Sequence, residues 1–148
     1  MTMNIKEQTS EAVCLLEQMA GIPSVSREEQ EVADLLENFM QQKLLNPRRE
    51  GNNIWCGAPS YHPEKPTLLL NAHIDTVRPA ASWTREPFRA TRDGERIYGL
   101  GTNDDGASVV SLLQAYIALS QREQPYNLIF LASCEEEVSG KNGLESAL

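Results

Sequence analysis

No apolar run in the 148-residue sequence approaches the roughly 20 residues that span a membrane. The opening stretch, Met1-Thr2-Met3-Asn4-Ile5-Lys6-Glu7-Gln8, lacks the charged and then apolar segments of a secretory signal. Cysteine is scarce. Cys14, Cys56 and Cys134 are an odd number without a Cys-x-x-Cys spacing, and they read as buried free thiols in a reducing cytoplasm. Positive charge is short as well: 13 Lys and Arg stand against 21 Asp and Glu, a formal net charge of −8. That balance argues against a nucleic-acid partner and against an anionic membrane surface. No internal repeat and no low-complexity segment interrupts the chain. Expected, then, is a cytoplasmic protein whose partner is a small molecule, with some of its acid available to a metal.

What is present is enough for one domain with a core, since 41% of residues are apolar. Ala12, Val13, Leu15, Leu16 and Met19 recur at helical spacing, which predicts an amphipathic helix over Glu7 to Ala20, ended by Gly21 and Pro23. Ser26-Arg27-Glu28-Glu29 matches a capping box, with Ser26 as N-cap and Glu29 reaching back, before a second helix marked by Val32, Leu35, Leu36, Phe39 and Met40. Gly51-Asn52-Asn53 reads as a turn and Ile54-Trp55-Cys56 as a short strand. His62 falls in a polar, proline-rich loop and reads as solvated. Leu68 to Leu70 read as a buried strand, and the loop holding Trp83, Pro87 and Phe88 as packing over the core. Arg89 to Tyr98 suggests a hairpin turning at Asp93-Gly94. Ala107 to Ser120 predicts a helix apolar around much of its circumference, and Asn127 to Ser133 a second apolar strand. Gly140 and Gly143 mark a turn into a further helix. Alternating helices and strands define an α/β layered fold, expected as a three-layer α/β/α sandwich on a mixed, partly parallel sheet.

Three polar clusters interrupt this pattern. The apolar run Leu68-Leu69-Leu70 leads into Asn71-Ala72-His73-Ile74-Asp75. Residues two apart on an extended segment share a side, so His73 and Asp75 can act together, either as a solvated loop or as a metal ligand with its carboxylate partner. The second cluster, Asp104-Asp105, sits in Gly99-Leu100-Gly101-Thr102-Asn103-Asp104-Asp105-Gly106 at the start of a helix. A phosphate loop is poorly served beside two aspartates, and no Gly-Lys-Ser/Thr follows. The third, Cys134-Glu135-Glu136-Glu137, directly follows an apolar strand. Runs of glutamate are usually solvated faces, but this one starts where a buried strand ends. Cys134 reads as a small buried residue rather than a thiolate ligand or nucleophile. Ligands of open α/β sheets bind at the carboxyl ends of strands, so the clusters can converge. Carboxylates gathered there are costly without a cation among them, and mixed nitrogen and oxygen donors favour zinc or a similar transition metal.

Three motifs, in order His73-x-Asp75, Gly101-Thr102-Asn103-Asp104-Asp105-Gly106 and Glu136-Glu137-x-x-Gly140, resemble those of the two-zinc aminoacylase, deacetylase and carboxypeptidase family. The wording of Asn71 to Val77 and of Cys134 to Gly143 is most similar to the acetylornithine deacetylase group of the Bacteroidetes type. The resemblance implies two zinc ions, with cobalt as a possible substitute. His73 would bind one zinc while Asp75 clamps its other nitrogen, Asp104 would bridge both, and Glu137 would bind the second. Glu136 would be the general base that takes a proton from the attacking water and returns it to the leaving amine. The resemblance also implies a cis Asp104–Asp105 peptide.

The implied substrate is an N-acyl amino acid, N-acetylornithine first, with arginine biosynthesis as the setting. An aminopeptidase or dipeptidase is the alternative, and a noncatalytic metal-binding module a more distant one. Two departures stand out. Many members have Asp-x-Lys-Gly where this chain has Asp104-Asp105-Gly106-Ala107. Members also run more than twice this length. Residues 1–148 are therefore expected to be the N-terminal part of the catalytic domain, without the lid and dimerisation domain, a later acidic ligand and a C-terminal histidine. The longer protein would be a homodimer, and this part alone inactive.

Overall fold

The computed structural model describes residues 4–148. Helix α1 (Ile5–Ala20) begins two residues before the expected Glu7. Asn4 is its N-cap: the Asn4 side-chain oxygen accepts the Lys6 and Glu7 N–H groups, and the Glu7 carboxylate accepts the Asn4 N–H. That reciprocal box satisfies amides that a helix start otherwise leaves open. Helix α2 (Gln30–Gln42) starts differently from the sequence expectation. Its N-cap position is Glu29, with no side-chain cap, and Ser26 and Glu29 form no capping box. The Ser26 N–H goes to the Thr76 carbonyl and its hydroxyl to Asp75, so both groups are taken by the segment that follows the third strand. A local pattern has yielded here to tertiary acceptors.

Four strands, β1 (Arg48–Glu50), β2 (Asn53–Gly57), β3 (Thr67–His73) and β6 (Asn127–Ser133), form one sheet in the order β1-β2-β6-β3. β3 and β6 run parallel, in register from Thr67 opposite Asn127 to His73 opposite Ser133, while β2 runs antiparallel to β6 and β1 to β2. The sheet is mixed and partly parallel, as the alternation of elements suggests. β1 was not anticipated: Arg-Arg-Glu carries no strand periodicity, and only its pairing with β2 defines it. Between β3 and β6 the chain makes the β4–β5 hairpin (Thr91–Asp93, Arg96–Tyr98) and helix α3 (Ala107–Ser120). Gly94 in the hairpin turn has φ +61, a conformation glycine adopts without steric cost.

Alternation along the strands sends Ile54, Cys56, Leu70, Ala72, Leu128, Phe130 and Ala132 into a core with α1, α2 and α3. Its largest members, Tyr116 and Phe130, meet at 6.3 Å between ring centroids. Trp55, Leu69, Ile129 and Leu131 lie on the other face, beside Ala147 and Leu148 at the end of the short helix α4 (Leu144–Ala147). Among the described residues α4 is what represents the third layer.

Three expectations are corrected. Leu68 is 40% exposed and Leu69 and Leu70 are only half-buried, because β3 is an edge strand here; burial is complete only at Ala72 and His73. Trp83 lies on the surface instead of over the core. Cys14 is exposed, whereas Cys56 and Cys134 are buried. Burial pushes the Cys56 and Cys134 thiols up to about 11, which suppresses their reactive thiolates. Of these three thiols, Cys14 alone is expected to be alkylated by iodoacetamide in the native protein, as read by peptide mass spectrometry. Modification of Cys56 or Cys134 before unfolding would contradict this burial.

Candidate metal centre

The carboxyl ends of the parallel pair β3 and β6 lie side by side, and the Ile74 N–H extends their pairing by donating to the Ser133 carbonyl at 2.8 Å. His73 ends β3 with its ring buried. Its Nδ1 lies 3.0 Å from the Asp75 backbone carbonyl and 3.4 Å from Asp75 Oδ1. The sequence pairing of His73 with Asp75 is therefore present, although the nearer acceptor is the main chain. Both acceptors favour a proton on Nδ1, so that whenever the ring is neutral its lone pair lies on Nε2. Nε2 points to Asp104 Oδ1 at 3.0 Å and Glu136 Oε2 at 3.8 Å. The hydrogen bond with Asp75 is the main cause that raises His73 to about 9, against the opposing effect of burial.

Asp75 is fully buried and does more than face His73. Its Oδ2 accepts the Ser26 hydroxyl at 2.6 Å and the Glu137 N–H at 3.1 Å, and its Oδ1 accepts the Glu136 N–H at 3.0 Å. Burial acts to raise its pKa, but His73, Ser26 and the two amides together outweigh it and hold the carboxyl at about 2. Ser26 is a residue of this network that sequence reasoning missed. Only the parallel bridge of Val25 with Thr76 brings it there.

Asp104 reaches the site from the turn that opens α3. Gly101, at φ +74, begins that turn, and the Asp104–Asp105 peptide is cis. Asp105 lies behind it, where its carboxylate accepts the His73 N–H at 3.4 Å. A Cβ on Gly101 would meet Thr76 Cγ2 at 2.5 Å, in a backbone conformation that side chains rarely adopt. Gly101→Ala is expected to cost more than about 1 kcal/mol of stability, read by chemical denaturation. An unchanged midpoint would show that the turn relaxes freely.

The three glutamates diverge. Glu135, at φ +55, turns inward, where its carboxylate accepts Asn142 Nδ2 at 3.1 Å. Glu136 stays largely exposed beside His73. Glu137 joins His73 and Asp104: one donor atom from each of the three lies within 4.8 Å of the others. Partial burial, and then the neighbouring Asp104 and Glu136 charges, push the Glu137 carboxyl above its ordinary value, with His73 opposing them. An imidazole nitrogen and two carboxylate oxygens that repel one another are a donor set a divalent transition metal fits, because the cation removes the repulsion that the bare carboxylates impose. His62 lies elsewhere, exposed, with its Nδ1 accepting the Glu64 N–H at 3.3 Å.

Fold and site together define a mixed α/β domain with a candidate metal centre where parallel strands end. Residues 69–148 match peptidase family M20/M25/M40, and the chain belongs to that family. It is 32% identical over 129 residues to a probable carboxypeptidase of Emericella nidulans, covering 82% of this chain and 30% of that protein. It is 37% identical over 73 residues to the acetylornithine deacetylase of Aliivibrio fischeri, covering 49% of this chain and 19% of that enzyme. Among solved structures, a dinuclear metal-binding M20 peptidase of Bacillus subtilis shares the fold with a TM-score of 0.71 at 16% identity, over 96% of this chain and 39% of its own. The chain thus spans about a third or less of the length of the curated relatives it matches. No helix among the described residues is long and apolar enough to cross a membrane.

Proposed function

We propose that the protein carrying this chain is a metal-dependent amidohydrolase that releases a free amino acid from its N-acyl form, with N-acetylornithine as the first substrate. The observation that carries this reading is the convergence of His73, Asp104 and Glu137 with Glu136 alongside, in a chain of this family. His73, Asp104 and Glu137 would hold the metal, with two zinc ions in the longer polypeptide and Asp104 shared between them. Bound metal supplies a Lewis acid and makes a water easier to deprotonate. Asp75 keeps the His73 proton on Nδ1 and the Nε2 lone pair directed outward. Glu136, exposed beside the donors, takes a proton from the attacking water. The water oxygen bonds to the acyl carbonyl carbon, the C–N bond breaks, and Glu136 returns its proton to the amine nitrogen. A carboxylate and a free amino group result. The complete activity, a cytoplasmic setting and any homodimer belong in this reading to the longer polypeptide. The 148-residue chain alone would be inactive.

Likeness to an acetylornithine deacetylase supports the choice of substrate. Likeness to a probable carboxypeptidase, over the longer alignment, favours peptide hydrolysis as the second reading. The test is turnover by the full-length protein of N-acetylornithine against dipeptides and longer peptides, with metal content measured in parallel. Ornithine release that chelation abolishes and zinc or cobalt restores is the expected result. Peptide cleavage without ornithine release would move the assignment to the second reading.

A further inference from the structure

The β3–β6 ladder ends at Ser133, and the next four backbone amides take no part in it. Each is donated to a buried side-chain oxygen: Cys134 to Asn53 Oδ1 at 2.9 Å, Glu135 to Glu29 Oε1 at 3.1 Å, Glu136 to Asp75 Oδ1 at 3.0 Å and Glu137 to Asp75 Oδ2 at 3.1 Å. Asn53, Glu29 and Asp75 are all 0% exposed, and they come from three separate segments. Asp75 touches His73 and belongs to the centre described above. Glu29 and Asn53 make their own bonds elsewhere.

We propose that Glu29 and Asn53 are positioning residues that fix the main chain entering Glu136–Glu137 and so decide where those two carboxylates point. This rests on the metal-centre reading above. Glu29 Oε1 also accepts the Arg27 N–H at 2.7 Å, and its Oε2 accepts Asn52 Nδ2 at 3.0 Å, so the carboxylate is braced from two sides. Asn53 Nδ2 donates to the Asn142 and Gly143 carbonyls at 2.7 and 3.1 Å, tying the far end of the same loop. Between these anchors Glu135 adopts φ +55, uncommon for a residue with a side chain. That left-handed residue sends its own carboxylate inward and its two successors outward. Without its acceptor the Glu135 amide would be buried and unpaired, and the segment would shift to reach water. A displacement of that kind would move Glu136 and Glu137 although Glu29 hydrogen-bonds to neither.

The test uses the full-length protein as wild type, Glu29→Ala and Glu29→Gln. Hydrogen exchange over residues 134–137 is read without metal, and the visible spectrum and affinity are read with Co²⁺. In the wild type, exchange at Glu135 to Glu137 should be about 100-fold slower than in an unstructured peptide. Glu29→Ala should release those amides, lower Co²⁺ affinity about 10- to 100-fold and alter the cobalt spectrum. Glu29→Gln, whose amide oxygen can still accept the Glu135 N–H, should restore most of the affinity and the spectrum. A folded Glu29→Ala protein with wild-type cobalt spectrum and affinity would overturn the proposal. If that variant does not fold, the wild type decides, since exchange there as fast as in an unstructured peptide overturns it equally. A wild type that binds no Co²⁺ would instead end the metal-centre reading, while the exchange comparison would still judge the role of Glu29.

Discussion

Glu136→Gln in the full-length protein is expected to lower kcat by about 10²- to 10⁴-fold while metal content stays at the wild-type level. The adjacent change, Glu137→Gln, is expected to lose metal as well as rate. The asymmetry comes from a single peptide step. Glu137 contributes a donor atom within 4.8 Å of those of His73 and Asp104, whereas Glu136 is not a member of that group. Glu136 keeps an exposed carboxylate 3.8 Å from His73 Nε2, near the donors and open to solvent. Gln is nearly isosteric with Glu and keeps an acceptor, but it cannot take up and return a proton. Because the side chain is exposed, the Glu136 variant should unfold within about 0.5 kcal/mol of the wild type, which separates loss of chemistry from loss of fold. Metal analysis and steady-state kinetics on both variants provide the check. Near-normal turnover by Glu136→Gln, or equal metal loss in the two proteins, would remove the general-base assignment.

A second large effect is expected at Asp75. Asp75→Asn alters only one atom in a side chain of the same size, yet no orientation of the amide suits the site. Oδ1 accepts the Glu136 N–H, and Oδ2 accepts the Glu137 N–H and the Ser26 hydroxyl. Whichever way the amide is placed, its NH₂ faces a backbone N–H that then has no acceptor. A buried group stranded in this way costs about 1–3 kcal/mol. The His73 Nδ1 proton also loses the negative charge beside it, so the ring becomes a weaker donor. Outer-sphere changes of this kind cost about 10- to 100-fold in metal affinity. Calorimetric unfolding and a zinc titration of the full-length variant measure the two effects separately. Wild-type values for both would show that the Asp75 carboxylate is neither clamp nor brace.

Much of the scaffold was legible because its signals are local. The apolar spacing of Val109, Val110, Leu113 and Tyr116 marks α3 over Ala107–Ser120, and the run from Leu128 to Ala132 marks β6 over Asn127–Ser133, as observed. The Asp93-Gly94 turn and the helix after Gly143 follow from short-range backbone preference in the same way. The residues His73, Asp104 and Glu137 were singled out by motif, and the topology brings them to one place: His73 ends β3, Glu137 follows the end of the neighbouring parallel strand β6, and Asp104 lies in the turn before the helix that connects those strands.

Tertiary structure alone decided the rest. Ser26-Arg27-Glu28-Glu29 has the spacing of a capping box, and considered locally nothing competes with it. In the fold its hydroxyl and its carboxylate find acceptors and donors elsewhere, Ser26 at Asp75 and Glu29 at the Glu135 amide. β1 is a strand only because β2 lies beside it, and Cys14 is exposed only because its side of α1 faces solvent. Helical and strand periodicities are set by neighbours a few residues away, so one sequence displays them. The amides of Cys134 to Glu137 are instead satisfied across separations of 61 to 106 residues. No local pattern records such a bond, because its partner is selected by how the sheet, its crossover and the loop before α2 pack together.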